Sequence, residues 1–391
     1  MNRAPLPSDP PEAAPPIRVM VVDDSVMVRG LVVRWLTDAG SDLQVVASHA
    51  NGRLATDDVQ KTQPDVVVLD LEMPGMDGLT ALPLFLERRP GVAVLVASAL
   101  TRRGAEVSLK ALTLGAADYL PKPDASQGPA AAEAFKRELV TKVRSLGARR
   151  RNRGSMPRPP IGQVAPAPVA ERAVAAQPAP AIRKVRPDEK LRPYSMTPPT
   201  ILAIGSSTGG PQALTRVFTD IGPAIGNVPV VIVQHMPATF TAILAEHMAR
   251  ASGRPAREGT DGEPLLPGHI YVAPGGFHML VARSGKEVVL RINDGPPENF
   301  CKPAVDPLFR SVSEVFGAGT LAAVLTGMGS DGAIGARLIS AAGGSVIAQD
   351  EESSVVWGMP GAVVAAGACA DILPIGDIGR KITRILTGGR A

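Results

Sequence analysis

Three residues in the second half of the chain, Ser207, His235 and Asp331, each stand just past a short apolar run. Ser207 sits in Ile204-Gly205-Ser206-Ser207-Thr208-Gly209-Gly210-Pro211, where Gly205 to Gly209 fits G-x-S-x-G, a strand-to-helix turn that exposes a nucleophilic serine. Glycines permit the tight turn and a close approach of substrate to the backbone. The helix that follows starts with unpaired N–H groups and a positive dipole end, which suit an oxyanion. Taken alone, the same turn serves equally as a phosphate cradle. His235 ends the run Val228–Gln234, and Asp331 follows Leu321–Leu325 through Gly327-Met328-Gly329-Ser330. An imidazole beside a serine takes its proton, and a carboxylate on the far ring nitrogen fixes the tautomer and stabilises imidazolium. The main chain at Met328 and at the turn after Ser207 can donate to the oxyanion. Cys301, in Asn299-Phe300-Cys301-Lys302-Pro303, is a rival nucleophile, but His235 is better placed for Ser207. His247 falls mid-helix; His269 and His278 flank loop residues and lack a partner at metal spacing.

A second constellation lies in the first half. Asp23, Asp24, Asp70, Ser98 and Lys122 each follow an apolar strand. Three carboxylates at neighbouring strand ends repel one another unless a cation sits among them, and Mg²⁺ takes such oxygen ligands while keeping waters. A carboxylate beside Mg²⁺ can accept a phosphoryl group as an acyl phosphate, with a lysine and a hydroxyl holding the phosphoryl oxygens.

The elements that position both sets alternate. Strands are expected at Ile17–Val22, Leu43–Ala47, Asp65–Leu69, Val92–Ala97 and Ala117–Leu120, with helices between them and a last helix over Ala131–Leu146. From Thr200 the alternation resumes, with strands at Thr200–Ala203, Val228–Gln234, Ile270–Ala273, Glu287–Ile292, Gly319–Thr326 and Gly344–Ala348. Strands apolar throughout, separated by helices, predict an α/β fold of two doubly wound parallel sheets. Ligands bind beyond the carboxyl ends of such strands, where both constellations fall.

The expected layout is a disordered tail over 1–16, a first domain over 17–146, a Pro/Ala/Arg-rich linker over 147–199 and a second domain over 200–388. Residues 149–199 hold eleven Lys/Arg against three Asp/Glu, a balance of +8 where the whole chain has +4, so the remainder carries −4. The basicity belongs to the linker, and no folded domain need present a basic face to nucleic acid. An aromatic share of 3% argues further against stacking platforms for single strands. Two cysteines exclude a disulfide framework and suit a reducing cytosol. No run is long and apolar enough to insert in a membrane, and no secretory signal opens the chain, so a cytoplasmic protein is expected.

Residues 17 to about 125 resemble a two-component receiver domain, of flavodoxin-like fold, through Val22-Asp23-Asp24-Ser25, Leu69-Asp70, Met73-Pro74-Gly75-Met76-Asp77-Gly78, Ala97-Ser98-Ala99 and Lys122-Pro123. The resemblance implies that Asp70 accepts the phosphoryl group from a chemotaxis histidine kinase. It also implies that Asp23, Asp24, Asp70 and the Glu72 carbonyl hold Mg²⁺, that Ser98 and Lys122 serve the switch, and that Lys122–Pro123 is cis as in relatives. Tyr119 matches either the aromatic that reorients in such switches or a buried strand aromatic. Residues 200–386 resemble the Rossmann-like catalytic domain of the chemotaxis protein-glutamate methylesterases, the CheB family. The carrying motifs are Ile204–Gly210, Gln234-His235-Met236-Pro237, Tyr271–Gly275, Lys302–Phe309, Leu325–Gly332 and Gly358-Met359-Pro360. The family implies Ser207 as nucleophile, His235 and Asp331 as its partners, Met328 as oxyanion donor and no cofactor for the esterase. The implied substrates are glutamate γ-methyl esters, and often glutamines, on cytoplasmic chemoreceptor helices, with an unphosphorylated receiver covering the site. Ser206 departs from the family's usual small residue, and the linker is longer and more basic. The alternatives are an esterase acting on another signalling array and a non-enzymatic response regulator whose basic linker binds DNA.

Overall fold

The computed structural model describes residues 15–123, 128–154 and 191–389, which form two compact units dividing at Arg150/Arg151. The first holds β1 (Ile17–Val22), α1 (Val26–Asp38), β2 (Leu43–His49), α2 (Gly52–Thr62), β3 (Val66–Asp70), α3 (Gly78–Arg88), β4 (Ala93–Ala99), α4 (Arg102–Thr113), β5 (Asp118–Lys122) and α5 (Gly128–Gly154). The five strands are parallel in the order β2-β1-β3-β4-β5. Central β3 is buried at every position because helices cover both faces. Helices α1 to α4 each start on a side-chain cap, from Ser25, Asn51, Asp77 and Thr101 in turn.

Helix α5 is longer than the expected Ala131–Leu146, but its apolar stripe is the predicted one: Phe135, Leu139, Val143 and Leu146 are all buried. Polar Lys142 is buried on the same helix. Its ammonium sits 2.8 Å from Asp118, donates 2.6 Å to the Tyr119 carbonyl and lies 5.0 Å from the centre of the Tyr119 ring. The expected cis bond at Lys122–Pro123 is absent; the cis peptide among the described residues is Lys302–Pro303.

The second unit is built on β6 (Ile201–Ser206), α6 (Gly210–Ile221), β7 (Val230–Gln234), α7 (Phe240–Ser252), β8 (Ala256–Glu258), β9 (Ile270–Val272), β10 (His278–Ser284), β11 (Glu287–Asn293), α8 (Val305–Phe316), β12 (Thr320–Val324), α9 (Ala333–Ala341), β13 (Ser345–Gln349), α10 (Met359–Ala365), β14 (Asp371–Leu373) and α11 (Ile375–Leu386). Seven strands form a parallel sheet in the order β14-β13-β12-β6-β7-β9-β8. Strand order runs outward from β6 in one direction through β7 and in the other through β12, so the ligand-binding crevice of such a sheet falls at the carboxyl ends of β6 and its neighbours. The fold is thus two parallel-sheet α/β domains, with one departure from plain alternation. Strands β10 and β11 form a separate antiparallel hairpin turned at Gly285, with φ +62°. Val281 and Leu290 of this hairpin join the core that includes α8 residues Leu308, Phe309 and Val312.

Most of the expected linker lies outside the described residues. Its last residues lie along the second unit: Arg192 N–H donates to the Cys369 carbonyl, Tyr194 Oη to Asp371, and Ser195 N–H to Ser345 Oγ.

The Lys142–Asp118 pair yields a stability prediction. Asp118 is 1% exposed, so Lys142→Ala leaves a buried carboxylate without its cation and is expected to cost roughly 3 kcal/mol. Urea unfolding of the full chain, followed through the first unit's transition, measures it; a change below about 1 kcal/mol would show the pair to be dispensable.

Candidate active site

Strand β6 pairs with β7 so that Ser206 faces Gln234, and with β12 so that Gly205 faces Val324. Ser207 and His235 are therefore the first residues beyond two adjacent parallel strands, which lie about 4.8 Å apart in any sheet. Two neighbouring serines, Ser206 and Ser207, stand at this strand end, and their surroundings differ. Ser206 is fully buried and donates 2.7 Å to Gln234 Oε1. Ser207 is half-buried, and among the described residues its hydroxyl has no hydrogen-bond partner. Its backbone is fixed from three sides: its N–H donates to the Thr326 carbonyl at 3.0 Å, while its own carbonyl accepts from Gly210 N–H at 2.7 Å and from Gln234 Nε2 at 2.8 Å. Gly209, with φ +74°, makes the turn into α6 and leaves that helix without a side-chain cap. A side chain at Gly210 would fall on the Gln234 amide.

His235 Nε2 lies 2.7 Å from Asp331 Oδ2. Asp331 is 1% exposed, yet its carboxylate is saturated with donors. The first two N–H groups of α8, from Val305 at 2.6 Å and Asp306 at 3.0 Å, point at it, as do Gly332 N–H at 2.9 Å and Asn299 Nδ2 at 3.1 Å. Burial works to raise the pKa of this group, but the His235 contact and the helix N–H groups outweigh it and hold it below the usual aspartate value. Asn299 gives the other hydrogen of the same amide to Asp306, at 3.1 Å. For His235, burial works against the charged form, but the contacts with Asp331 and Cys301 prevail and lift the imidazole to about 9.

On the other flank, the Gly327 carbonyl accepts from Gly358 N–H at 3.0 Å and Met359 N–H at 2.8 Å. In a planar trans peptide the N–H points opposite the C=O, so these two bonds also set the direction of the Met328 N–H. A Cβ on Gly327 would stand 2.9 Å from Ser207 Cβ, so glycine here lets the two loops meet.

The structure thus brings His235 and Asp331 into contact, sets Ser207 on the adjacent strand end and packs Gly327, the residue before Met328, against Ser207. The group touching the remaining ring nitrogen of His235 is Cys301, with Sγ 3.4 Å from Nδ1. On sequence alone Cys301 is a rival nucleophile in a loop that could line the site, and Asn299 and Asp306 have no assigned role. The remaining histidines have other surroundings. His278 is buried on β10 and ties Pro296 to Ala304, His269 contacts the Pro267 carbonyl, and His247 lies on α7.

In the first unit, Asp23 and Asp70 are each 2.8 Å from Lys122 Nζ. Carboxylate oxygens of Asp23, Asp24 and Asp70 all lie within 4.8 Å of one another. Burial raises the Asp70 pKa, and the Lys122 charge only partly offsets it. Glu72 N–H donates 3.2 Å to Asp70. Ser98 is buried and bonds Ser108 at 2.6 Å, and Tyr119 is buried on β5.

The family model for CheB methylesterase matches residues 202–382, and that for the response regulator receiver domain matches 19–132. A protein-glutamate methylesterase/protein-glutamine glutaminase of Bradyrhizobium diazoefficiens is 53% identical over 97% of this chain and 96% of its own. The chain belongs to the CheB family. A relative of the same description from Rhodopseudomonas palustris is 55% identical over 96% of each chain. The solved CheB methylesterase catalytic domain of Thermotoga maritima is 38% identical, covering 48% of this chain and all of its own, with a TM-score of 0.47.

The imidazole's environment makes a direct prediction. A histidine whose pKa rises on folding keeps its proton in the folded state; its contribution to stability is full below about 6.5 and fades as pH climbs towards 9. NMR titration should place the His235 midpoint well above 6.5, and Asp331→Asn should lower it. A wild-type midpoint at or below 6.5 would contradict the assigned contacts.

Proposed function

We propose that this CheB-family enzyme is a phosphorylation-controlled serine esterase acting on glutamate γ-methyl esters of chemoreceptor cytoplasmic helices. On this reading residues 200–388 carry the esterase and 17–146 the receiver. The reading rests on the 2.7 Å His235–Asp331 contact beside Ser207 on the neighbouring strand end. Ser207 Oγ attacks the ester carbonyl and passes its proton to His235 Nδ1, the ring nitrogen turned away from Asp331. The Met328 N–H faces the developing oxyanion, a contribution of roughly 3 kcal/mol for one such donor. The imidazolium then protonates the departing methoxide, which leaves as methanol. Water, deprotonated by the same nitrogen, hydrolyses the acyl-serine and leaves glutamate. A glutamine side chain follows the same path with ammonia as leaving group, so one site serves demethylation and deamidation. The esterase itself takes no cofactor.

Asp70 accepts a phosphoryl group from a chemotaxis histidine kinase. The clustered oxygens of Asp23, Asp24 and Asp70 fit a hard divalent cation, and with the Glu72 carbonyl they would hold Mg²⁺, which neutralises charge on the phosphoryl oxygens. Lys122 already bridges Asp23 and Asp70 and can follow the phosphoryl group. Ser98 and Tyr119 lie on the neighbouring strands β4 and β5 as the switch residues. No described helix is long and apolar enough to cross a membrane, which agrees with a cytoplasmic enzyme, and the function calls for no nucleic acid.

The Cys301–His235 contact favours one second reading, with sulfur as the nucleophile. Methanol release from a methylated chemoreceptor fragment decides between them. Ser207→Ala should lower the rate at least ~10³-fold, whereas a loss of that size confined to Cys301→Ala would transfer the role to sulfur. Because His235 must be neutral to accept the proton, kcat/KM should climb from pH 7 towards 9. A small-molecule phosphodonor should accelerate the wild type, and the same acceleration in Asp70→Asn would remove Asp70 as the switch.

A further inference from the structure

Cys301, His235 and Asp331 form a thiol–imidazole–carboxylate chain that shares two of its three members with the serine site. Sulfur lies 3.4 Å from Nδ1, and Nε2 lies 2.7 Å from the carboxylate. The loop that carries Cys301 is fixed at several points. Glu298 and Cys301 exchange two backbone hydrogen bonds, of 2.8 and 3.1 Å. Glu298 takes a two-pronged ion pair from Arg310, at 2.6 and 2.8 Å, and Asn299 is held by Asp306 and Asp331. Between them Asn299 and Phe300 adopt φ of +51° and +63°, conformations that a bulky side chain rarely takes. The fold therefore forces the thiol onto the imidazole. Cys301 is partly exposed. Cys369, the chain's other cysteine, is 3% exposed, and burial pushes its thiol up to about 12.

We propose that Cys301 is a modification site, a thiol primed by His235 towards peroxide and soft electrophiles, and that capping it closes the esterase. With hydrogen peroxide the Cys301–His235 pair, which holds one proton between Sγ and Nδ1, presents sulfur to attack one peroxide oxygen. The O–O bond breaks, sulfur gives up two electrons to become the sulfenic acid Cys–S–OH, and the departing hydroxide takes the imidazolium proton to leave as water. With iodoacetamide the same thiolate forms a C–S bond and iodide leaves. Either product adds atoms against the ring nitrogen that must take the Ser207 proton. Thiol reactivity stands on the Cys301–His235 geometry alone; closure of the esterase also rests on the Ser207 reading.

The full-length protein treated with limiting iodoacetamide at neutral pH, with both cysteines read by peptide mass spectrometry, tests the first half. Cys301 is expected to react about tenfold or more faster than N-acetylcysteine in the same tube, and Cys369 far more slowly. A Cys301 rate no greater than that of N-acetylcysteine would overturn the proposal. Ser207→Ala should label Cys301 as readily as the wild type, which separates thiol reactivity from the nucleophile assignment. For the second half, methanol release should fall in step with Cys301 occupancy. After peroxide treatment Cys301→Ser should keep its own untreated rate. Full turnover by the capped protein, or peroxide inactivation of Cys301→Ser at the wild-type rate, would refute closure.

Discussion

The second unit is organised around a buried carboxylate at the start of a helix. Asp331 is almost wholly removed from water, where an unpaired charge would cost several kcal/mol. It remains ionised because two N–H groups of α8, one of Gly332 and one of Asn299 converge on it. The first turn of α8 has no side-chain cap of its own, so the carboxylate from the β12–α9 loop serves as one and meets the positive end of the helix dipole. One carboxylate thus caps the start of α8, fixes the β12 loop and supplies the anion that contacts His235. Replacing the carboxylate would disturb all three, so a loss of activity at Asp331 cannot be read as catalytic without a measurement of the imidazole itself.

The first unit solves a related problem in the opposite sense. Asp23 and Asp70 are also buried, but each accepts a single backbone N–H, from Ser25 and Glu72, and the two share one ammonium, Lys122, 2.8 Å from both. Burial dominates at Asp70, whose pKa is raised despite that cation. At Asp331 fixed N–H dipoles and the imidazole win, and the pKa is lowered. Fixed dipoles suit a group that must hold one charge state throughout a reaction. On the proposed function, a side-chain cation suits Asp70, whose partner must move once the carboxylate is modified.

The legible part of the molecule follows from the same physics. Parallel strands covered on both faces read as unbroken apolar runs, so Val66–Leu69 and Val230–Val233 announce themselves, and the polar residue that ends each run falls at the sheet edge where sites form. Asp70 and His235 were found that way. The β10–β11 hairpin was harder, because it buries one face on α8 and exposes the other, leaving only a short alternation. Asn299 and Cys301 carry no periodic signal. Their positions depend on a loop whose two left-handed residues, Asn299 and Phe300, are not types that demand such a conformation, and on an ion pair between Glu298 and Arg310 twelve residues apart. The choice of Ser207 over Ser206 comes from the centre of a motif; the 2.7 Å Ser206–Gln234 bond, which engages the first hydroxyl, follows from the β6–β7 register and is not legible in sequence.

That register also bears on how a resting site avoids futile chemistry. Asp331 occupies Nε2, so Nδ1 is the nitrogen left to accept a proton, and Cys301 Sγ approaches it at 3.4 Å. A thiol and a hydroxyl that draw on one nitrogen cannot both be activated by it at once. The hydroxyl of Ser207 is without a hydrogen-bond partner among the described residues, and an alcohol not yet bonded to a base is a poor nucleophile. On the proposed function, Ser207 attacks once the imidazole exchanges sulfur for oxygen, a rotation at a strand end whose backbone is fixed. The His235–Asp331 bond can act as the pivot, because the carboxylate is tied to α8 while the ring is tied only to the carboxylate and the sulfur.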